Sequence, residues 1–349
     1  MFFNIWNRIY EPHCSDLSGH IEFAAPQPPQ PVATGGYSDI YMGKYGQSDK
    51  SKIQVAIKVF RLSKDESKDN SRIIKYLIRE AAVWRQLDHG NILPFLGLVS
   101  DIGKRGAPAL ISPWCRSGTI MDYLHNQSQS PRLPLIAEIA QGLQYLHQRN
   151  IIHGDLKPSN ILINDDGRPL LADFGCSLIV GCQGTTTRRH GTVRYQAPEL
   201  FEEDIKFTKA SDVYAYGVTC SAVWTGVEPF VEFPTDATII LQVLLKNARP
   251  RRPSHASEET ELVWPLFEAC WAGEAEKRLH MEEVADELVK LTEKISESRY
   301  CPSLYLALSP SQNLTPSTPY LPASFRSAGI RPPPYEASDP FSSTIVATN

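Results

Sequence analysis

The order of hydrophobic periods along residues 32–295 constrains this chain more than any other feature. Strand-type alternation comes first and helix-type spacing follows, which suggests an α+β fold with a small sheet lobe and a larger helical lobe. Ile53, Val55, Ile57 and Val59 alternate, so residues 53–59 form a strand with those four on one face. Gln54, Ala56 and Lys58 share the other face. Residues 71–87 read as a helix, with Ile73, Ile74, Leu77, Ala81, Trp84 and Leu87 at helical spacing. A second helix carries Ile136, Ile139, Ala140, Leu143 and Leu146. Residues 212–224 are apolar on nearly every side, the mark of a buried central helix. Met281, Val284, Leu288, Leu291 and Ile295 form a last amphipathic helix.

The flanks differ in composition. Residues 301–349 hold nine Pro, nine Ser and four Thr, with only Arg326, Arg331, Glu336 and Asp339 charged. Such a segment buries too little apolar surface to offset its ordering entropy, so residues 296–349 read as a Pro/Ser-rich disordered tail. A Pro-rich link at residues 26–31 closes an N-terminal extension, residues 1–30. The net charge of −4 argues against a broad nucleic-acid footprint. No run of about 18 mainly apolar residues exists, so no membrane span is expected. Met1–Tyr10 is apolar but too short and poorly flanked for a secretory signal. Seven Cys without CxxC pairs fit a reduced cytoplasmic or nuclear protein, not a disulfide scaffold or a zinc site.

Lys58 sits mid-strand beside small Ala56. By itself such a lysine is an edge residue in a solvated row. Glu80 changes that reading, because it lies three after Leu77 and four before Trp84, on the inward stripe of its helix. An unpaired buried carboxylate is expensive, and the nearest cation in a strand-then-helix layout is Lys58. Such a pair holds the ammonium still, ready for phosphate oxygens. Next comes His153-Gly154-Asp155-Leu156-Lys157-Pro158-Ser159-Asn160, after a helix and before apolar Ile161-Leu162-Ile163. Asp155 and Asn160 can project from one tight loop. A carboxylate can accept a hydroxyl proton, and an amide oxygen can ligate a hard cation. Lys157 can neutralise charge developing on a transferred group. Asp173-Phe174-Gly175 follows, and an Asp in a turn before Gly suits Mg²⁺, although Asp-x-Gly is usually just a turn.

In this order and spacing the segments resemble the eukaryotic protein kinase family over roughly residues 30–295. The motifs are Val55–Lys58, Glu80, His153–Asn160, Asp173–Gly175 and Ala197–Glu199, extending to Asp212 and Arg278. The resemblance implies a bilobal protein-kinase fold at residues 31–295. A small antiparallel sheet lobe with one helix would occupy 31–112, and a larger, mainly helical lobe 113–295. It implies ATP and Mg²⁺ as cofactors. Lys58 would hold the α- and β-phosphates and pair with Glu80. Asp155 would orient the substrate hydroxyl and accept its proton, and Lys157 would contact the γ-phosphate. Asn160 and Asp173 would hold Mg²⁺. Ala56 and Leu162 would sandwich the adenine, with Ser112 as a small gatekeeper and the Pro113 and Cys115 backbone at the adenine edge. Asp122 would meet the ribose. Gly35, Gly36 and Ile40 belong to the glycine-rich loop over the nucleotide. Glu199 and Arg278 would form a structural ion pair, Asp212 would hold the catalytic-loop backbone, and His153, Phe174 and Trp84 would pack. Cys176 reads as inert packing, not a redox thiol.

Two departures stand out. The family loop reads Gly-x-Gly-x-x-Gly-x-Val, whereas Ala33 and Ser38 replace its first and third glycines. Weakened ATP binding is expected. Gly154 stands where many kinases carry an Arg that receives a phosphorylated activation loop. Activity that depends little on phosphorylation of Thr185, Thr186 or Thr187 is therefore expected.

Lys157-Pro158 and Thr192 resemble Ser/Thr-directed kinases. His89–Gly97, Thr225–Phe230, Ala248–Pro253 and Cys270-Trp271 resemble the tyrosine-kinase-like group. The implied activity is transfer of the ATP γ-phosphoryl group to a Ser or Thr hydroxyl of a protein in signal transduction. Two alternatives share parts of the pattern. A pseudokinase scaffold fits the altered glycine loop, and a small-molecule phosphotransferase of the aminoglycoside or choline type shares HGDxxxxN but lacks the segment at 191–218. In the tail, Pro332, Pro333, Pro334 and Tyr335 match the PPxY ligand of WW domains, helped by polyproline II structure. The alternative there is plain Pro-rich disorder.

Overall fold

A computed structural model describes residues 15–24, 29–46, 52–61, 71–100, 102, 109–180, 192–202 and 206–299. The tail motif at 332–335, Thr185–Thr187 and the opening residues 1–10 lie outside the described residues.

Strand β4 (Ile53–Phe60) carries the alternation read from the sequence, and its two faces enter different cores. Val55 and Ile57 are buried with Leu17, Ile21, Leu96, Val99, Ala109 and Ile111. Phe60, on the other face, joins the core beneath the helix. β4 pairs antiparallel with β3 (Ser38–Tyr45) on one side and β6 (Ala109–Pro113) on the other. β5 (Gly97–Val99) lies beyond β6, while β1 (Ile21–Phe23) and β2 (Ala33–Thr34) both pair with β3.

Residues 15–23 tie the two edges of this sheet together. The Leu17 N–H donates to the Leu98 carbonyl at 2.8 Å, and the Leu98 N–H donates to the Ser15 carbonyl at 3.0 Å. A few residues later, β1 pairs at the far edge with β3. The sheet therefore curls, with one short segment covering β5 at one edge and β3 at the other. Gly97 permits the approach: its φ is +150°, and a Cβ there would stand 2.4 Å from the Ser15 carbonyl oxygen. These residues lie upstream of residue 31, where sequence patterning began the domain. A three-residue strand carries too little periodicity to announce itself.

Helix α1 (Ser71–Trp84) packs its apolar stripe below the sheet, with Leu77, Ala81 and Trp84 buried. It ends three residues short of the expected Leu87. The N–H groups of Gln86 and Leu87 turn back to the carbonyls of Val83 and Trp84, so the end tightens to a 3₁₀ turn and still buries Leu87.

The larger lobe contains α2 (Ile120–Asn126), α3 (Arg132–Gln148), α4 (Lys209–Thr225), α5 (Asp236–Lys246), α6 (Glu258–Cys270) and α7 (Met281–Arg299). Helix α4 is the expected central element, buried at every position from Ser211 to Val223. A Thr208–Ser211 capping box starts it, and Gly226 at φ +73° ends it in the left-handed conformation that glycine tolerates. Short β-pairs join β7 (Ile151–Ile152) to β10 (Leu178–Ile179) and β8 (Ile161–Ile163) to β9 (Pro169–Leu171). Arg278, its side chain fully buried, grips Glu199 with two 2.7 Å bonds. The result is the two-lobed architecture expected from the order of periods. No helix among the described residues is long and apolar enough to cross a membrane.

Candidate active site

The polar residues gather where the lobes meet. Lys58 projects from β4 on the face shared with Ala56. Its Nζ lies 2.5 Å from Glu80 Oε1 on α1 and 2.9 Å from Asp173 Oδ1 in the other lobe. Glu80 is 1% exposed, so its charge depends on that lysine. Burial pushes the Glu80 carboxyl up to about 7, while Lys58 pulls the other way. Burial alone would lower the Lys58 pKa, but the Asp173 and Glu80 carboxylates outweigh it and raise it. Lys58 in turn holds Asp173 at about 2, so Asp173 stays a carboxylate. Asp173 adopts φ +64°, a strained left-handed conformation. Neighbouring Phe174 anchors it, fully buried with ring centroids 6.0 Å from Trp84 and 5.6 Å from His153.

The loop after β7 is shaped from below. Asp212 on α4 accepts the N–H of His153 at 2.7 Å and of Gly154 at 2.9 Å. His147 Nε2 lies 3.0 Å from the same carboxylate. Gly154 here has φ +78°, and the side chain of Asp155 that follows is 11% exposed. Asp155 Oδ1 accepts the Thr192 N–H at 3.1 Å, and its Oδ2 lies 2.7 Å from Lys157 Nζ. Lys157 also donates to Thr192 Oγ1 at 2.7 Å. Asn160 donates through Nδ2 to the Asp155 carbonyl at 2.8 Å and to its Oδ2 at 3.1 Å.

Around this centre, strand register sets two rows of side chains on the face of Lys58. Ile40, Lys58 and Leu110 stand in one cross-strand row, with Met42, Ala56 and Ser112 in the next. Ser112 and Cys115 are buried, and Pro113 ends β6. Burial pushes the Cys115 thiol up to about 12, and the Cys176 thiol equally, which suits inert packing. Leu162 forms an isolated antiparallel bridge with Thr119. Asp122 closes a capping box at the start of α2, its Oδ2 accepting the Thr119 N–H at 3.0 Å and hydroxyl at 2.7 Å. Gly35 and Gly36 form the tip of the β2–β3 turn, closed by the Gly35 N–H on the Ser38 carbonyl at 2.8 Å.

Two features escaped sequence reasoning. The direct contact of Lys58 with Asp173 joins residues 115 positions apart. Arg61, one residue past β4, sets its guanidinium on the Gly35 and Gly36 carbonyls. An arginine at a strand end carries no signal of its own.

The donor set suits a hard divalent cation. Asp173 offers carboxylate oxygens, and Asn160 spends its amide nitrogen on Asp155, leaving its amide oxygen as an acceptor.

Fold and cleft together define a two-lobed protein of the kinase fold. The chain belongs to the protein tyrosine and serine/threonine kinase family, whose sequence model matches residues 29–288. It is 30% identical over 270 residues to Serine/threonine-protein kinase STY46 of Arabidopsis thaliana, covering 76% of this chain and 44% of the relative. It is 30% identical over 270 residues to Serine/threonine/tyrosine-protein kinase HT1 of the same plant, covering 76% and 66%. With human Receptor-interacting serine/threonine-protein kinase 3 it shares 32% over 286 residues, covering 75% and 51%. The chain thus spans between 44% and 66% of the length of these relatives.

Proposed function

We propose that this chain is an ATP- and Mg²⁺-dependent serine/threonine protein kinase. The observation that carries the reading is Asp155, held between Lys157, Asn160 and the Thr192 backbone. A carboxylate so oriented accepts the proton of an incoming hydroxyl, and Lys157 steadies the charge on the transferred group. Lys58, kept in place by Glu80, meets the α- and β-phosphates. Asn160 and Asp173 hold Mg²⁺, which neutralises phosphate charge when bound. Ala56, Leu162 and the hinge at Ser112, Pro113 and Cys115 take the adenine. Asp122 meets the ribose, its second carboxylate oxygen remaining beyond the capping box. Lys157 joined to Thr192 supports Ser/Thr direction.

Phosphoryl transfer from Mg·ATP to a generic protein substrate tests this. Asp155→Asn should lower turnover about a hundredfold or more with the fold intact. Transfer undiminished in that variant would remove Asp155 from the mechanism. A scaffold reading draws on Ala33 and Ser38 in the glycine loop, and it requires that the wild-type chain transfer nothing.

The kinase domain in this reading occupies residues 31–295 between the extension and the Pro/Ser-rich tail, in a cytoplasmic or nuclear protein. The tail motif at Pro332, Pro333 and Tyr335 recruits a WW domain. Pulldown by a WW panel checks it, with Tyr335→Ala as control, and equal capture of both would discard the motif.

A further inference from the structure

Arg61 continues the alternation of β4 one step past its end, on the face of Val59 and opposite to Lys58. Its own N–H donates to the Tyr37 carbonyl at 2.9 Å, which extends the ladder to the loop tip. Its guanidinium then reaches three acceptors at once. Nη2 donates to the Gly35 carbonyl and, at 2.9 Å, to the Gly36 carbonyl, while Nη1 lies 3.2 Å from Asp39 Oδ1 on β3. In a trans peptide the C=O and the next N–H point in opposite directions. Fixing the Gly35 and Gly36 carbonyls on the Arg61 side therefore turns the N–H groups of Gly36 and Tyr37 toward the Lys58 face.

We propose that Arg61 is a positioning residue for phosphate recognition: its guanidinium clamps the Gly35 and Gly36 carbonyls so that the loop amides face the phosphates of the nucleotide. The inference rests on the ATP reading above. The clamp answers a specific defect of this chain. Ala33 and Ser38 stand where the family pattern has glycines, so the loop has lost backbone freedom to settle on a phosphate once it arrives. A loop held in shape beforehand avoids ordering on binding. A planar guanidinium suits the task, because its donors form a fixed fork, whereas an ammonium is a single point. Asp39 completes the clamp by orienting the fork from the neighbouring strand.

The test uses the full chain with Arg61→Ala and Arg61→Lys. In ligand-free protein, exchange of the Gly35 amide, which closes the turn on the Ser38 carbonyl, should quicken about tenfold in Arg61→Ala. Binding of Mg·ATP should weaken about tenfold while adenosine, which has no phosphates, binds within about twofold of wild type. Arg61→Lys should fall between. Unchanged exchange, or equal weakening of ATP and adenosine, would overturn the clamp, the second marking general loosening of the lobe. If the wild-type chain bound no ATP, the nucleotide reading would fall and the phosphate role with it. The exchange experiment needs no ligand and would still register the contact, so the two failures are distinguishable.

Discussion

Gly154 runs directly against the backbone of Cys176: a Cβ at residue 154 would stand 2.8 Å from the Cys176 carbonyl oxygen. With φ at +78°, the position is strained for any side chain as well as crowded. Restoring the family's arginine by Gly154→Arg should therefore fail to build a phosphate receiver. It should cost about 1–3 kcal/mol of stability and disturb the backbone that Asp212 holds. Thermal melting and turnover of the variant check this. The companion expectation is that Thr185, Thr186 and Thr187 can all become Ala with little loss of activity. Loss of activity in a folded triple mutant would contradict it.

Buried beside Lys58, Glu80 should make the site sensitive to pH near neutrality. Burial raises its carboxyl from 4.5 to about 7. Between those values the folded chain keeps a proton that the unfolded chain has released, so this group's contribution to stability falls as pH rises across the window. The ion pair with Lys58 behaves oppositely, because it is complete only above about pH 7. ATP-dependent turnover should therefore rise through pH 7 as the melting contribution of Glu80 declines. Glu80→Gln should remove that limb of the turnover profile. An identical limb in the variant would assign it to another group.

The Arg278 side chain is fully buried, and Glu199 neutralises it through two parallel bonds. Glu199→Ala leaves a buried guanidinium unpaired and should destabilise by about 3–5 kcal/mol. Arg278→Lys should also lose stability, because one ammonium cannot match both carboxylate oxygens. Chemical denaturation of both variants measures it. A loss under about 1 kcal/mol in Glu199→Ala would mean that water reaches the arginine.

Gly97 is the point at which the N-terminal segment meets the β5 edge of the sheet. Gly97→Val places a Cβ against the Ser15 carbonyl and should release residues 15–17 from Leu98. Amide exchange at Leu17 and Leu98 should accelerate, with a fall in melting temperature. Protection unchanged at both amides would show that the pairing tolerates the side chain.

Much of this protein was written in local pattern. Period two announced β4 and sorted its side chains to two faces, period 3.6 announced α1, α3 and α7, and an apolar run without a polar face announced α4. The ordered polar motifs, through their resemblance to the protein kinase family, pointed to Lys58, Glu80, Asp155, Lys157, Asn160 and Asp173, whereas the periods speak for the backbone. These signals work because burial selects side chains at a spacing that each backbone conformation fixes.

Tertiary structure alone decided the rest. Sequence patterning could not show that Lys58 bonds Asp173 as well as Glu80, or that Arg61 grips the turn of the glycine loop. Nor could it place residues 15–23 within the sheet. Each of these depends on backbone groups or on partners far along the chain. Backbone hydrogen bonds carry no side-chain signature, and a contact between distant residues exists only after the intervening chain has packed.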